Sequence, residues 1–387
     1  MIDKFRNIFA IPELRQRIFF TLSLLVVVRI GAHIPVPGIN TEALGAAVQN
    51  FQNTLFGLYD LFAGGAFQKA TIFALGIMPY ISASIILQLM GVVVPYFQRL
   101  QKEGDEGRKK ITQITRYGTV LIASLQAYSI ALFLENLKST AGGFQMTVVP
   151  EPGLSFRLLT MITLVTGTIF IMWLGEQITE RGIGNGISLI IMVGIVSRLP
   201  NVIVSEISLI QEEVRGPLTE VVLLGIMFII VAFVVLLTQG TRKIPVQYAK
   251  RIVGRKVYGG QSTHIPLRVN TAGVMPIIFA QSIMFLPNTI AMFFQGSEFM
   301  QGVIRVFSPQ HWFYWTVFGL TIIFFTYFYT AIAFNPQEVA ENMRKHGGFI
   351  PGVRPGKKTS EFIDNILSKV TLPGSVFLAF VAIFPFI

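Results

Sequence analysis

The sequence predicts an all-α, polytopic membrane helix bundle built as two inverted halves, and three observations carry that prediction. Of 387 residues, 52% are apolar and only 13% charged, where soluble domains carry about 25% charged residues. Nine segments are apolar over roughly the 20 residues needed to cross a hydrocarbon core of ~30 Å. A short motif also recurs five segments apart, an odd offset that gives its two copies opposite orientations.

The segments fall at residues 18–34, 70–95, 111–134, 156–174, 184–204, 218–237, 269–294, 312–334 and 366–387. The basic start followed by an apolar run has the outline of a secretory signal. That run is long, however, Arg29 interrupts it, and residues 33–38 offer no small-x-small cleavage site, so it is a retained first span. Pro35 and Pro37 then break the helix. Residues 55–69 form an apolar half-helix too short to span, with Leu55, Phe56, Leu58, Leu61, Phe62, Gly64 and Gly65. Composition leaves two readings open: an interfacial helix on the outer leaflet, or a re-entrant element inside the bundle hinged at Gly64-Gly65.

Segment two reads Gly76-Ile77-Met78-Pro79-Tyr80-Ile81-Ser82-Ala83, and segment seven reads Gly273-Val274-Met275-Pro276-Ile277-Ile278-Phe279-Ala280. The shared pattern marks either two coincidentally kinked helices or the same point in two related halves, residues 1–217 and 218–387. On the second reading five spans per half would make ten. The chain reaches Phe386 and Ile387 while still apolar, so a tenth span is expected beyond the sequence.

Charge gives the orientation. Lys4, Arg6, Arg15 and Arg17 precede span one, and Arg99, Lys102, Arg108, Lys109 and Lys110 follow span two. Arg242, Lys243, Lys250, Arg251, Arg255 and Lys256 follow span six; Arg344, Lys345, Arg354, Lys357 and Lys358 follow span eight. The alternate loops hold few, such as Lys69, Lys138, Arg215 and Arg305. By the positive-inside rule the N-terminus is cytoplasmic, as are the loops at 238–268 and 335–364.

Enzymatic chemistry is not indicated. Cysteine is absent, and His33, His264, His311 and His346 are scattered without metal spacing, so neither a metal nor another cofactor is expected. The run Gly352 to Thr359 has a P-loop look, but Pro351 and Lys358 stand where Gly and Ser or Thr are required. Gly182-Ile183-Gly184-Asn185-Gly186 opens a span rather than following a strand, so it is a tight turn and not a dinucleotide fingerprint. Ionisable residues such as Arg29, Arg116, Glu176 and Arg198 lie toward segment ends. Charge-free centres disfavour the runner-up reading, an ion-coupled secondary transporter with inverted repeats.

Several separated stretches carry a resemblance: FALGIMPYISASIILQ from Phe73, KEGDEGRKKITQITRYGT from Lys102, WLGEQITERGIGNGIS from Trp173, GGQSTHIPLRVNTAGVMP up to Pro276, and FNPQEVAENM with GGFIPGVRPG after span eight. There the chain resembles the SecY family, the channel subunit of the bacterial protein-secretion translocon, over essentially its whole length. The resemblance implies a protein-conducting channel in the bacterial inner membrane whose halves open sideways to lipid between spans two and seven. It makes residues 55–69 the plug and places a pore ring at Ile77, Ile81, Ile187, Ile191 and Ile278, with a further member in the tenth span. Gln88, Gln126 and Asn270 become polar contacts of the lateral gate. The basic loops after spans six and eight become the docking site for the ribosome and the SecA ATPase. The other implied partners are SecE, SecG, signal sequences, nascent polypeptides and membrane lipid.

Overall fold

The computed structural model describes residues 10–48, 60, 63–141, 144–212, 216–248, 251–253, 256–258, 262–293 and 298–384. Two compact units emerge: Met1–Gln211 with Ser282–Pro309, and Glu212–Gln281 with Gln310–Ile387.

In the first unit, α1 (Pro12–Gly31) is followed by the short α2 (Thr41–Val48). Next come α3 (Met78–Val93) and α4 (Pro95–Lys102), which meet at an angle of 99°. Pro95 starts the second of them, and a proline cannot donate to the preceding turn. The long helices α5 (Asp105–Asn136) and α6 (Leu154–Arg181) run antiparallel, joined by the hairpin β1 (Lys138–Ala141) and β2 (Phe144–Thr147). An ion pair ties this helix pair near each end. Arg116 grips Glu176 through two bonds of 3.0 and 2.7 Å, while Glu135 accepts from Arg157 at 2.8 Å and from the N–H of Gly153 at 2.9 Å. Then come α7 (Gly186–Val196), capped by Asn185 accepting from Ser188 N–H, and α8 (Leu199–Gln211).

The second unit opens with α9 (Pro217–Gln239), whose 0% burial over its apolar window fits a lipid-facing span. After it come β3 (Thr241–Tyr248), β4 (Arg251–Val253), β5 (Lys256–Tyr258) and β6 (Ser262–Arg268). The division between units falls within α10 (Met275–Phe293), and α11 (Glu298–Val306) belongs to the first unit. The chain continues with α12 (Trp312–Ala333), α13 (Pro336–Lys345), β7 (Gly348–Phe349) and α14 (Lys357–Ile383).

Each of the nine expected segments coincides with a helix, but the lengths differ from expectation. Among the described residues six stretches are long and apolar enough to cross a membrane, or seven if the bent α3–α4 pair is one span. The first segment falls short because α1 carries Arg15, Arg17 and Arg29. The second is 16 residues rather than a helix from Ala70, since residues 64–77 wind as successive turns. Ala70 at φ 41° and Gly76 at φ 55° occupy the left-handed region, which stops an α-helix from propagating through them. In the seventh segment the apolar helical stretch runs only from Met275 to Pro287.

The loop expected at 238–268 is instead partly a sheet. β3 lies between β6 and β7, both antiparallel to it, with Ile244 opposite Ile265 and Arg242 opposite Leu267. Alternation along β3 turns Ile244 and Val246 into a small core with Leu267, Met343, Ile350 and Ile363 and Lys243 outward; Arg242, near the start of the strand, is exposed as well.

Candidate functional site: a seated turn, two matched helix starts and a basic surface

The segment between α1 and α3 is the most elaborately held part of the first unit. Asp60 is fully buried. Its Oδ1 accepts from the backbone N–H groups of Phe67 and Gln68 at 2.8 and 3.0 Å, and its Oδ2 accepts from Nη2 of Arg198 at 2.5 Å. Arg29 on α1 donates to the Gly64 carbonyl at 3.2 Å. Gly64 and Gly65 have φ of 65° and 87°, so the backbone turns here through the left-handed region. A Cβ at Gly64 would stand 2.8 Å from Cα of Gly194 on α7, which makes this a glycine-on-glycine contact. Beyond it, the N–H of Val36 donates to Ala70 O and that of Ile72 to Ile34 O, both at 2.9 Å, pinning the chain to the end of α1. Ala66 and Ala70 are buried within the unit. Of the plug residues expected from sequence, Gly64 and Gly65 are described here; Leu55, Phe56, Leu58, Leu61 and Phe62 lie outside the described residues.

The recurring motif has the same local conformation in both copies. Gly76 and Gly273 have φ of 55° and 64°, and helices begin two residues later at Met78 and Met275. A left-handed residue followed by Met-Pro is a well-defined helix start, since proline is favoured in the first turn. In the first unit Ile77 and Ile81 are buried at 2% and 6% exposure and Ile191 at 7%, while Ile187 is half-buried beside Gly175. Ile77 lines a cavity of about 20 Å³ with Arg29, Ala63, Ile190 and Gly194, beneath the seated turn. Ile278, half-buried, belongs to the second unit.

The expected gate residues are placed as follows. Gln88 on α3 is half-buried and donates to Ser84 at 3.2 Å. Gln126 on α5 is buried, and its Oε1 has no hydrogen-bond partner among the described residues. Asn270, in the second unit, is buried with an equally unpartnered Oδ1. A buried polar atom without a partner costs about 1–3 kcal/mol; Oγ1 of Thr160 and of Thr168 are placed the same way among the described residues.

The basic residues of the second unit cluster around the small sheet. Arg242 and Lys243 are exposed on β3; Arg344 and Lys345 are exposed in the last turn of α13; Arg354, Lys357 and Lys358 are exposed around the start of α14. Arg344 pairs locally with Glu341 at 2.8 Å and Lys358 with Glu361 at 3.0 Å. Arg251 and Lys256 stand on the β4–β5 hairpin, and Lys250 and Arg255 lie outside the described residues. Asn335 caps α13 by accepting from Gln337 and Glu338 N–H. No cluster of His, Asp or Glu able to hold a metal exists among the described residues.

Sequence reading missed the ties that hold the turn. The available signal was Asp60 itself, the single acidic residue between Glu42 and Glu103, standing inside an apolar half-helix.

Comparisons with known proteins give these features a family. The SecY family model matches residues 71–387. The protein translocase subunit SecY of Aquifex aeolicus is 44% identical over 386 residues, covering 100% of this chain and 89% of the relative. That of Escherichia coli K12 is 46% identical over 379 residues, covering 96% and 84%. Among solved structures, that of a protein-conducting channel aligns with a TM-score of 0.62 at 17% identity, covering 94% of this chain and 84% of that one. One in which the plug domain of the SecY protein stabilises the closed state and maintains a membrane seal aligns at 0.60 and 16%, covering 95% and 84%. The yeast Ssh1 complex bound to the 80S ribosome aligns at 0.58 and 14%, covering 95% and 84%. The structural likenesses establish the fold, the sequence relatives establish descent, and together they make this chain a member of the SecY family.

Proposed function

We infer that the chain is a protein-conducting channel subunit, passing unfolded polypeptides across a bacterial inner membrane and releasing apolar segments sideways into lipid. The observation that carries this is 44% identity to a protein translocase subunit along the full length of the chain. An inverted-repeat transporter finds no support, and the chain's chemistry is passive. It positions, seals and yields, and the driving force comes from a partner.

The finer parts of the reading rest on the site. Ile77, Ile81, Ile187, Ile191 and Ile278 form the pore ring, where branched apolar side chains make a narrow, poorly wetted constriction that excludes ions yet gives way around a polypeptide. Ile81 and Ile278 hold equivalent places in the repeat, which supports a symmetric constriction. Residues 55–69 are the plug; burial of Asp60, Ala66 and Ala70 favours a re-entrant element over one lying on the leaflet. Gln88, Gln126 and Asn270 line the lateral gate, and the unpartnered oxygens of the last two are available to whatever enters it.

The exposed basic surface of the second unit docks the ribosome and the SecA motor, with ribosomal RNA as a polyanion. A ribosome-bound relative of the same fold agrees with this. SecE and SecG are the remaining partners, and the N-terminus faces the cytoplasm.

The experiment is uptake of an unfolded, signal-bearing polypeptide into vesicles holding the protein with its copurifying subunits, read as protection from added protease. Parent protein protects the substrate when motor and ATP are supplied. With Arg251→Glu and Arg354→Glu together, protection falls about tenfold or more and motor binding weakens with it, because both act through salt-sensitive charge contacts. Full uptake and binding in that variant at physiological salt overturn the docking assignment; absence of uptake by the parent overturns the channel reading.

A further inference from the structure

One side of the turn at residues 60–70 is packed on the first unit's apolar core through buried Ala70 and half-buried Phe67, but the side that faces α7 is not. Where it meets α7, the approach is glycine on glycine, Gly64 against Gly194. Beside that contact lies a cavity of about 20 Å³, roughly room for one water. Packing of this kind stabilises little, since glycines bring no side chains to bury.

Charge supplies what packing does not. The two oxygens of Asp60 do separate jobs. Oδ1 accepts from Phe67 and Gln68 N–H and folds the turn on itself; Oδ2 reaches Arg198, 138 positions on in the chain, just past the end of α7. The carboxylate is sealed, whereas the Arg198 side chain keeps 24% exposure. Arg29 adds a second strap to the Gly64 carbonyl from α1. A buried pair of this kind is indifferent as a source of global stability but costly to break singly, because the remaining charge is left without a partner. That asymmetry suits a contact that must hold one position and then release it.

We propose that Asp60 and Arg198 are an electrostatic latch that holds the inner turn of the plug in its resting seat on the fifth span, with Arg29 as an auxiliary strap. The proposal rests on the plug reading above and assigns positioning roles to residues outside the pore ring and the gate. Release follows when an entering polypeptide displaces the turn and water reaches both charges.

The chain has no cysteine, so a single reporter thiol is clean. Ala66 is 0% exposed, and Ala66→Cys in the full protein, with no substrate present, is titrated with a membrane-impermeant maleimide from the outer side. Asp60→Asn keeps an oxygen for the two backbone donors and removes the charge; Arg198→Gln removes the other half. Each is expected to raise the labelling rate about tenfold or more, the double variant no further than either single one, and Arg198→Lys to stay near the parent. Parent-rate labelling in both single variants, or effects that multiply in the double variant, overturn the latch. Deleting residues 56–66 and measuring resting conductance separates the two levels. A leak on deletion with parent-rate labelling in the single variants discards the latch alone, whereas a tight seal on deletion discards the plug reading beneath it.

Discussion

Replacing Ile77, Ile81, Ile191 and Ile278 by Ser turns the resting protein into an ion leak. On the proposed reading the barrier is a ring of side chains that offer nothing to compensate an ion's lost hydration, and four hydroxyls are expected to let water persist in the constriction. The change is large because it removes the dewetting itself rather than shifting an equilibrium. Single-channel recording in planar bilayers, without substrate, is expected to show long-lived openings in the variant and a silent parent. Protein uptake survives, since the ring acts as a gasket and makes no sequence-specific contact with the substrate. A silent quadruple variant that still folds and takes up substrate would mean these isoleucines only pack their helices.

Deleting residues 56–66 produces a second leak of different character. It removes Asp60 and Gly64, and with them the tie to Arg198 and the contact with Gly194. The ring stays in place, so current is expected as brief, intermittent openings at a fraction of the quadruple variant's mean conductance. The remaining turn at residues 67–77 keeps its own anchors, the bonds from Val36 to Ala70 and from Ile72 to Ile34. Helix α3 therefore still starts at Met78 and the deletion is expected to fold. Combining the deletion with the four Ser replacements is expected to leak more than either alone, because the two barriers lie in series on the proposed reading.

Much of the fold was legible because a membrane helix is written in its own sequence: a run of about 20 apolar residues has few alternatives in lipid. That places both ends of α9 and α12 within two residues, whereas α5, α6 and α14 run six, seven and nine residues beyond the expected segment at one end, where the helix continues through polar residues that hydropathy does not count. The start of the second span was misplaced because hydropathy does not distinguish apolar turns from apolar helix; residues 70–77 are apolar in either case, and only the left-handed glycine at 76 and Pro79 mark the boundary. The motif Gly-Ile-Met-Pro holds that information: a left-handed glycine followed by Met-Pro starts a helix at the methionine. The sheet at β3, β6 and β7 is hard to read from sequence because its apolar residues, Ile244, Val246, Ile265 and Leu267, are interrupted by prolines and charges. Asp60 and Arg198 were invisible as a pair, since nothing local in either segment predicts a contact across 138 positions.

Site-specific crosslinking reads whether a polypeptide passes between these particular residues. A photoreactive side chain at Ile81, at Ile278 or at Gln88 is placed in the full protein while a signal-bearing chain is held halfway by a folded domain at its end. The ring positions are expected to capture the hydrophilic stretch of the arrested chain, Gln88 its signal sequence, and a probe at exposed Val222 on α9 neither. Capture from Val222 with silence at Ile81 and Ile278 would contradict passage through the ring and place the path elsewhere in the molecule.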